Sequence, residues 1–186
     1  KEAIEIYRQL YARNPVKFEN YLAWGLKTLS INFDRLGLHS EALHASQEAT
    51  MLYRKLYARR PAKFLDYLAS SLNRLALNLR TSELHNDALE ASEEALSLYR
   101  KLYADNQDLF AETLAASIDT FGMILRDLNR HEEALEAYRE VAALLTLKYS
   151  ISRSSPLSWI NDIKSCTTVL SSPSDLRIAH LRALNM

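Results

Sequence analysis

The chain has a single cysteine, Cys166, so it can form no intrachain disulfide, as suits a reducing compartment. Only three glycines and four prolines occur, too few for the many turns of an all-β protein. Neither charge is in excess: 23 Lys and Arg stand against 23 Asp and Glu. A nucleic-acid binder needs surplus cations to neutralise phosphates, so nucleic acid is an unexpected partner, and so is an anionic membrane surface. No apolar run approaches the ~20 residues that span a bilayer, and charged and apolar residues alternate from Lys1 onward, unlike a signal peptide. The cytoplasm is the expected location.

Catalytic patterns are missing as well. No glycine-rich phosphate loop, HExxH or CxxC sequence is present. Cys166 has His180 fourteen residues downstream but lacks the context of an activated nucleophile. Carboxylate-rich segments such as Glu93-Glu94 are expected on exposed helix faces, solvating the surface. Neither enzymatic activity nor a cofactor is expected.

What the chain does have is 48% hydrophobic residues, too many for a disordered segment, and a phrase written three times. Residues 7–15 read YRQLYARNP, residues 53–61 YRKLYARRP and residues 99–106 YRKLYADN, with Tyr7, Tyr53 and Tyr99 each 46 residues apart. The same register aligns Pro15 with Pro61, Phe18 with Phe64 and Phe110, His39 with His85 and His131, and Ala42-Leu43 with Ala88-Leu89 and Ala134-Leu135. The chain opens on Lys1 inside such a unit, as a fragment of something longer would.

Each unit holds two amphipathic helical patterns. Phe64, Leu68, Leu72, Leu75, Ala76 and Leu79 recur at steps of three and four, one apolar stripe on a helix. Asn14-Pro15 and Arg60-Pro61 mark its start, because proline fits the first turn where its missing N–H is not needed; Asn106 caps the third copy. Gly37 and Asn129 stand where the chain turns back, and both tolerate left-handed backbone. The second pattern runs Ala88, Ala91, Ala95, Leu98, Tyr99, Leu102. Helices of roughly 20 residues would be about 30 Å long. Such a pair cannot bury its stripe alone and must stack on its neighbours. Ala42 and Ala49, like Ala88 and Ala95, permit helix axes to close to the ~8–10 Å of tight packing.

These residues resemble the tetratricopeptide repeat. Residues 29–49, LSINFDRLGLHSEALHASQEA, carry its signature through Leu29, Phe33, Gly37, Ala42 and Ala49. Phe121-Gly122, Leu125 and Ala134 repeat it, as do Leu75-Ala76, Leu79, Ala88 and Ala95. The chain departs from it at Glu83, which replaces the turn glycine, and at Val141, which replaces the second alanine. Common members repeat every ~34 residues, so both helices are longer here, similar to kinesin light chain repeats. Similar arrays occur in fungal and bacterial proteins beside signalling NTPase or caspase-like protease domains.

The resemblance implies an all-α, right-handed α-solenoid of stacked antiparallel helix pairs. Residues 1–14 would be the second helix of a truncated leading repeat, 15–60, 61–106 and 107–149 three helix pairs, and 150–186 a divergent repeat or capping helices. In that tail Ser150 to Ser155 interrupts the helical pattern, Ser155-Pro156 reads as a new helix start, Trp159 and Ile160 keep the register, and Lys164, Thr167 and Ser171 occupy core positions.

The resemblance also implies that the first helices line a concave face. By register its lining is Trp24, Lys27, Ile31 and Asp34, then Ser70, Asn73, Leu77 and Arg80, then Ala116, Asp119, Met123 and Arg126. Ile31, Leu77 and Met123 stay apolar while the flanking positions change charge, which suits an extended or helical peptide. Packing positions repeat because each unit meets its neighbour in the same way. On that ground Tyr7/Tyr11, Tyr53/Tyr57 and Tyr99/Tyr103 are expected to pack between repeats as a ladder. His39, His85 and His131 would lie about 10 Å apart, too far to share a metal whose ligand bonds are about 2 Å, and are expected to pack in the inter-helix turns.

The expected function is a protein-interaction scaffold holding a peptide or partner helix. The alternatives are the regulatory or sensor region of a larger signalling NTPase or protease, and end-to-end self-association through Tyr7 and Leu10. Close approach at the alanines generates a first prediction: Ala88→Leu overpacks the joint and costs about 1–3 kcal/mol in urea unfolding, whereas an unchanged midpoint would remove the alanine contact.

Overall fold

The computed structural model describes residues 2–151. They form seven helices: α1 (Glu2–Arg13), α2 (Pro15–Arg35), α3 (His39–Arg59), α4 (Pro61–Thr81), α5 (His85–Asp105), α6 (Gln107–Asp127) and α7 (His131–Ile151). Helices α2 to α7 are each 21 residues long. No strand occurs among the described residues. The tail reading, with Trp159, Ile160, Lys164, Thr167 and Ser171, and the Cys166–His180 pair lie outside the described residues.

The helix breaks follow local chemistry. Asn14, Arg60 and Asn106 are extended, with φ of −148°, −145° and −152°. A following proline drives the first two out of the helical region. Asn106 has no such proline; its side chain accepts a hydrogen bond from the Leu109 N–H at 3.1 Å, as Asn14 does from Lys17 at 3.2 Å. Arg60 makes no side-chain cap and relies on Pro61.

The other breaks are three copies of one turn. Gly37, Glu83 and Asn129 have φ of 72°, 61° and 61°. The N–H of Leu38 reaches the Phe33 carbonyl at 2.9 Å and that of Gly37 the Asp34 carbonyl at 2.9 Å. Leu84 and Glu83, then Arg130 and Asn129, repeat the pattern at 2.9–3.0 Å. This is the Schellman closure, which satisfies the last carbonyls of the helix. Glu83 does not abolish the turn; it adopts the left-handed conformation despite its Cβ.

Each helix packs on the next in sequence, and the first helices of successive pairs also touch, α2 with α4 and α4 with α6. Among the described residues the second helices α3, α5 and α7 do not approach one another as closely. The stack therefore curves with α2, α4 and α6 on its inner side: an α-solenoid. One apolar seam runs through it from Ile4 on α1, through Leu22, Tyr53, Leu72, Tyr99 and Ile118, to Leu145 on α7. Ala42, Ala49, Ala88 and Ala95 are fully buried. Ala88 sits with Ala76, Leu79, Ala91 and Ile124 near the turn end of the stack.

The tyrosine ladder differs in route from the expectation. Tyr7 stacks on Tyr21 at 6.3 Å between ring centroids, and Tyr53 on Tyr67 at 5.8 Å. The rings thus meet across consecutive helices rather than from one equivalent position to the next. Thr113 takes the next place in that register, which leaves Tyr99 without a ring there. The histidines differ too. His39 and His131 are exposed, His39 with its Nδ1 3.5 Å from Asp34, and only His85 is half-buried.

The outer side carries a ladder that the sequence reading assigned to solvent. Arg8 pairs with Glu48 at 2.7 Å, Arg54 with Glu94, and Arg100 with Glu140 at 3.2 Å. Arginine and glutamate both keep the 46-residue register, so each joint between units has the same bridge. Exposed pairs of this kind contribute ~0.2–1 kcal/mol each.

The left-handed glutamate yields a test of the turn. Glu83→Gly relieves a Cβ clash of about 1 kcal/mol and should raise the melting temperature by about 2–4 °C. A melting temperature that stays level or falls would show that Glu83 is not strained.

Candidate functional site

The inner face is built from α2, α4 and α6, whose equal lengths and phasing place register-equivalent side chains in rows across the stack. The row of Ile31, Leu77 and Met123 is half-buried throughout. On one flank lie Lys27, Asn73 and Asp119, also half-buried; beyond them come Trp24, 52% exposed, with Ser70 and Ala116. On the other flank are Asp34, Arg80 and Arg126, again half-buried. Half-burial is what a shallow trough imposes, with side chains walled by neighbouring helices but open on one side.

The outer flank is ionic and satisfied from within. Asp34 meets Arg74 at 3.4 Å. Asp127 bridges both arginines, accepting from Arg80 Nε at 2.6 Å and lying 3.4 Å from Arg126. Arg74 and Asp127 are absent from the sequence-derived set. The signal that selected the others would have found them, because their register positions also vary: Thr28, Arg74 and Thr120 in one, Arg35, Thr81 and Asp127 in the other.

The row of Lys27, Asn73 and Asp119 is different. Lys27 donates to Ser70 Oγ at 3.0 Å and makes no ion pair among the described residues. Burial lowers its ammonium below the usual lysine range, opposed by Asp66, with Arg74 adding to the lowering. Ser70 thus ties α2 to α4. Burial pushes the Tyr99 hydroxyl up to about 12, with Asp66 adding to the rise and Ser70 opposing it. The Oδ1 of Asn73 is buried without a partner among the described residues. Burial raises the Asp119 carboxyl, and the charges of Arg126 and Arg80 oppose the rise without cancelling it. Tyr138 lies nearby on α7; its hydroxyl is buried without a partner among the described residues and is raised by burial.

Two exposed aromatics extend the Trp24 edge. Tyr21 and Tyr67 are 52% and 40% exposed and stand one turn before Trp24 and Ser70. The sequence-derived lining does not include them. Among the described residues no three His, Cys, Asp or Glu side chains converge as metal ligands, and no helix is long and apolar enough to cross a membrane.

Compared with known proteins, residues 68–108 and 114–146 match the family described as Tetratricopeptide repeat. A search of curated proteins finds no match to the chain. The matched segments run from α4 into the start of α6 and from α6 through most of α7. Over these two stretches the chain is similar to tetratricopeptide repeats, modules that typically mediate protein–protein interaction.

The raised Asp119 carboxyl has a pH signature. A carboxyl that ionises less readily when folded costs stability once it is charged: the cost is absent below the ordinary aspartate range and grows as pH rises through the raised value. Asp119→Asn should therefore be more stable than the parent chain at pH 7, with the gain shrinking as pH falls below the aspartate range. A gain that persists unchanged at low pH in urea titrations would assign it to another cause.

Proposed function

We propose that the chain is a non-enzymatic interaction scaffold whose α2, α4 and α6 face holds a peptide or partner helix. The observation that carries this reading is the half-buried apolar row of Ile31, Leu77 and Met123, flanked by side chains whose chemistry changes from one unit to the next. The joints between units repeat, as the Arg–Glu ladder and the buried alanines do. The inner face is released from that constraint: Lys27, Asn73 and Asp119 share a register yet differ in charge. An apolar row supplies affinity to any chain laid across it, and the changing flanks supply selection. The match to the tetratricopeptide repeat favours the same reading.

The test is a displayed-peptide selection on the immobilised chain, followed by affinity measurements on the selected peptides by fluorescence polarisation. The variant Asn73→Ala/Arg80→Ala/Arg126→Ala should bind them at least about tenfold more weakly, a loss of about 1.4 kcal/mol. Arg54→Ala/Glu94→Ala, on the outer side, should bind as the parent does. Undiminished affinity in the triple variant, with its helical circular dichroism intact, would reject the inner face as the binding site.

A further inference from the structure

Most of the half-buried charges on the inner face make direct ion pairs within the protein: Asp34 with Arg74, and Asp127 with both Arg80 and Arg126. Lys27 and Asp119 stand apart. Both are half-buried, and neither makes an ion pair among the described residues. They share one register, with Asn73 between them. The row therefore runs cation, amide, anion across three helices. Asp66 acts on Lys27, and Arg126 and Arg80 on Asp119, only at longer range; a half-buried charge with no direct partner favours an opposite charge brought by a ligand over a like one.

We infer that the groove's occupant is an extended peptide segment carrying an acidic side chain over Lys27 and a basic side chain over Asp119, about five or six residues apart. This rests on the groove reading above and adds the chemistry of the partner. The spacing follows from two helix-to-helix steps of ~8–10 Å each, or ~16–20 Å, divided by the ~3.3 Å rise of an extended chain. A helical partner, rising ~1.5 Å per residue, would need the two charges about twelve residues apart. The lowered Lys27 and raised Asp119 titrations are consistent with this, since in each burial outweighs the opposing charges around it.

The experiment uses the whole chain and labelled synthetic peptides built on one apolar, uncharged framework. The charged pair is Asp and Lys, two Asp, two Lys, or neutral Asn and Gln, set two, six or twelve residues apart. The mixed pair at six should bind about tenfold tighter than either like-charged pair, and the difference should shrink toward ~1 M salt. Lys27→Glu should move the preference to the two-Lys peptide, and Asp119→Lys to the two-Asp peptide. Because either variant can perturb the fold, Lys27→Met and Asp119→Asn serve as milder forms, each expected to erase the preference at its own end. A ranking that these substitutions leave unchanged overturns the inference, and so does a preference for the twelve-residue spacing. Leu77→Asp separates this failure from that of the groove. If it weakens every peptide while the charge variants do nothing, the groove stands and the charge row falls; if it weakens none, or if no peptide binds, both fall.

Discussion

A two-helix unit in this chain cannot cover its own apolar stripe. Tyr53 is completely buried, yet it lies on α3 and is covered in part by Tyr67 of the next unit. The same dependence recurs along the seam from Ile4 to Leu145. Each unit thus completes the core of its neighbour, and stability is a sum of units and joints rather than the property of one closed centre. Most of what serves one joint therefore reappears at the others. That single constraint explains why the alanines, the turn and the outer Arg–Glu bridges all keep one register.

The joints also show how volume is shared. Buried small residues occupy two registers on the first helices: Gly25, Ser71 and Ser117 in one, Ser30, Ala76 and Gly122 in the other. At Gly25 an added Cβ would lie 2.7 Å from Ile4 Cδ1, and at Gly122 2.8 Å from Tyr138 Cε1. Where the second unit has Ser71 in place of Gly25, the neighbour is Thr50, and the two hydroxyls meet at 2.8 Å. Register positions of Tyr138 in earlier units are Ser46 and Ser92. The third unit has a large ring over a glycine; in the same two registers the others have Ser46 with Ser30 and Ser92 with Ala76. Close packing tolerates such exchange when summed volume is kept. The buried hydroxyl of Tyr138, which has no partner among the described residues, is the polar remnant of that exchange.

Much of this architecture was legible in the sequence because helix starts, turns and stripes are local. Pro15, Pro61 and Asn106 specify where a helix begins within a few residues of themselves, and the stripe of α4 is visible in its own spacing. Glu83 was read as a departure, and no local rule says whether the turn survives it. Here the two Schellman hydrogen bonds and the packing around Leu79 outweigh the unfavourable backbone of one residue. The outer ladder was missed because Arg54 and Glu94 lie forty residues apart, and only coordinates show that the side chains meet. Tyrosine packing was foreseen but its partner was not, since an i,i+4 pair fixes a helix face and says nothing of the ring opposite. On the inner face, variation among repeats singled out the rows but passed over Arg74 and Asp127, which vary in the same way.

Variation among repeats is therefore a filter and not yet a criterion. Glu19 makes the point: its register equivalents are Leu65 and Ala111, so it varies as strongly as any inner-face residue. Yet it is only 2% exposed and is held by Arg59 from the end of α3. A carboxylate buried that deeply needs its cation, because removing either partner would strand a charge away from water. Its chemistry is used up within the fold, and a ligand could not reach it. The same test clears Asp127, whose two oxygens are divided between Arg80 and Arg126. What distinguishes Lys27 and Asp119 is that they vary, remain half open to solvent, and have no internal ion-pair partner among the described residues. Those three conditions together mark the charges that the proposed groove ligand would read, as distinct from those that shape the protein.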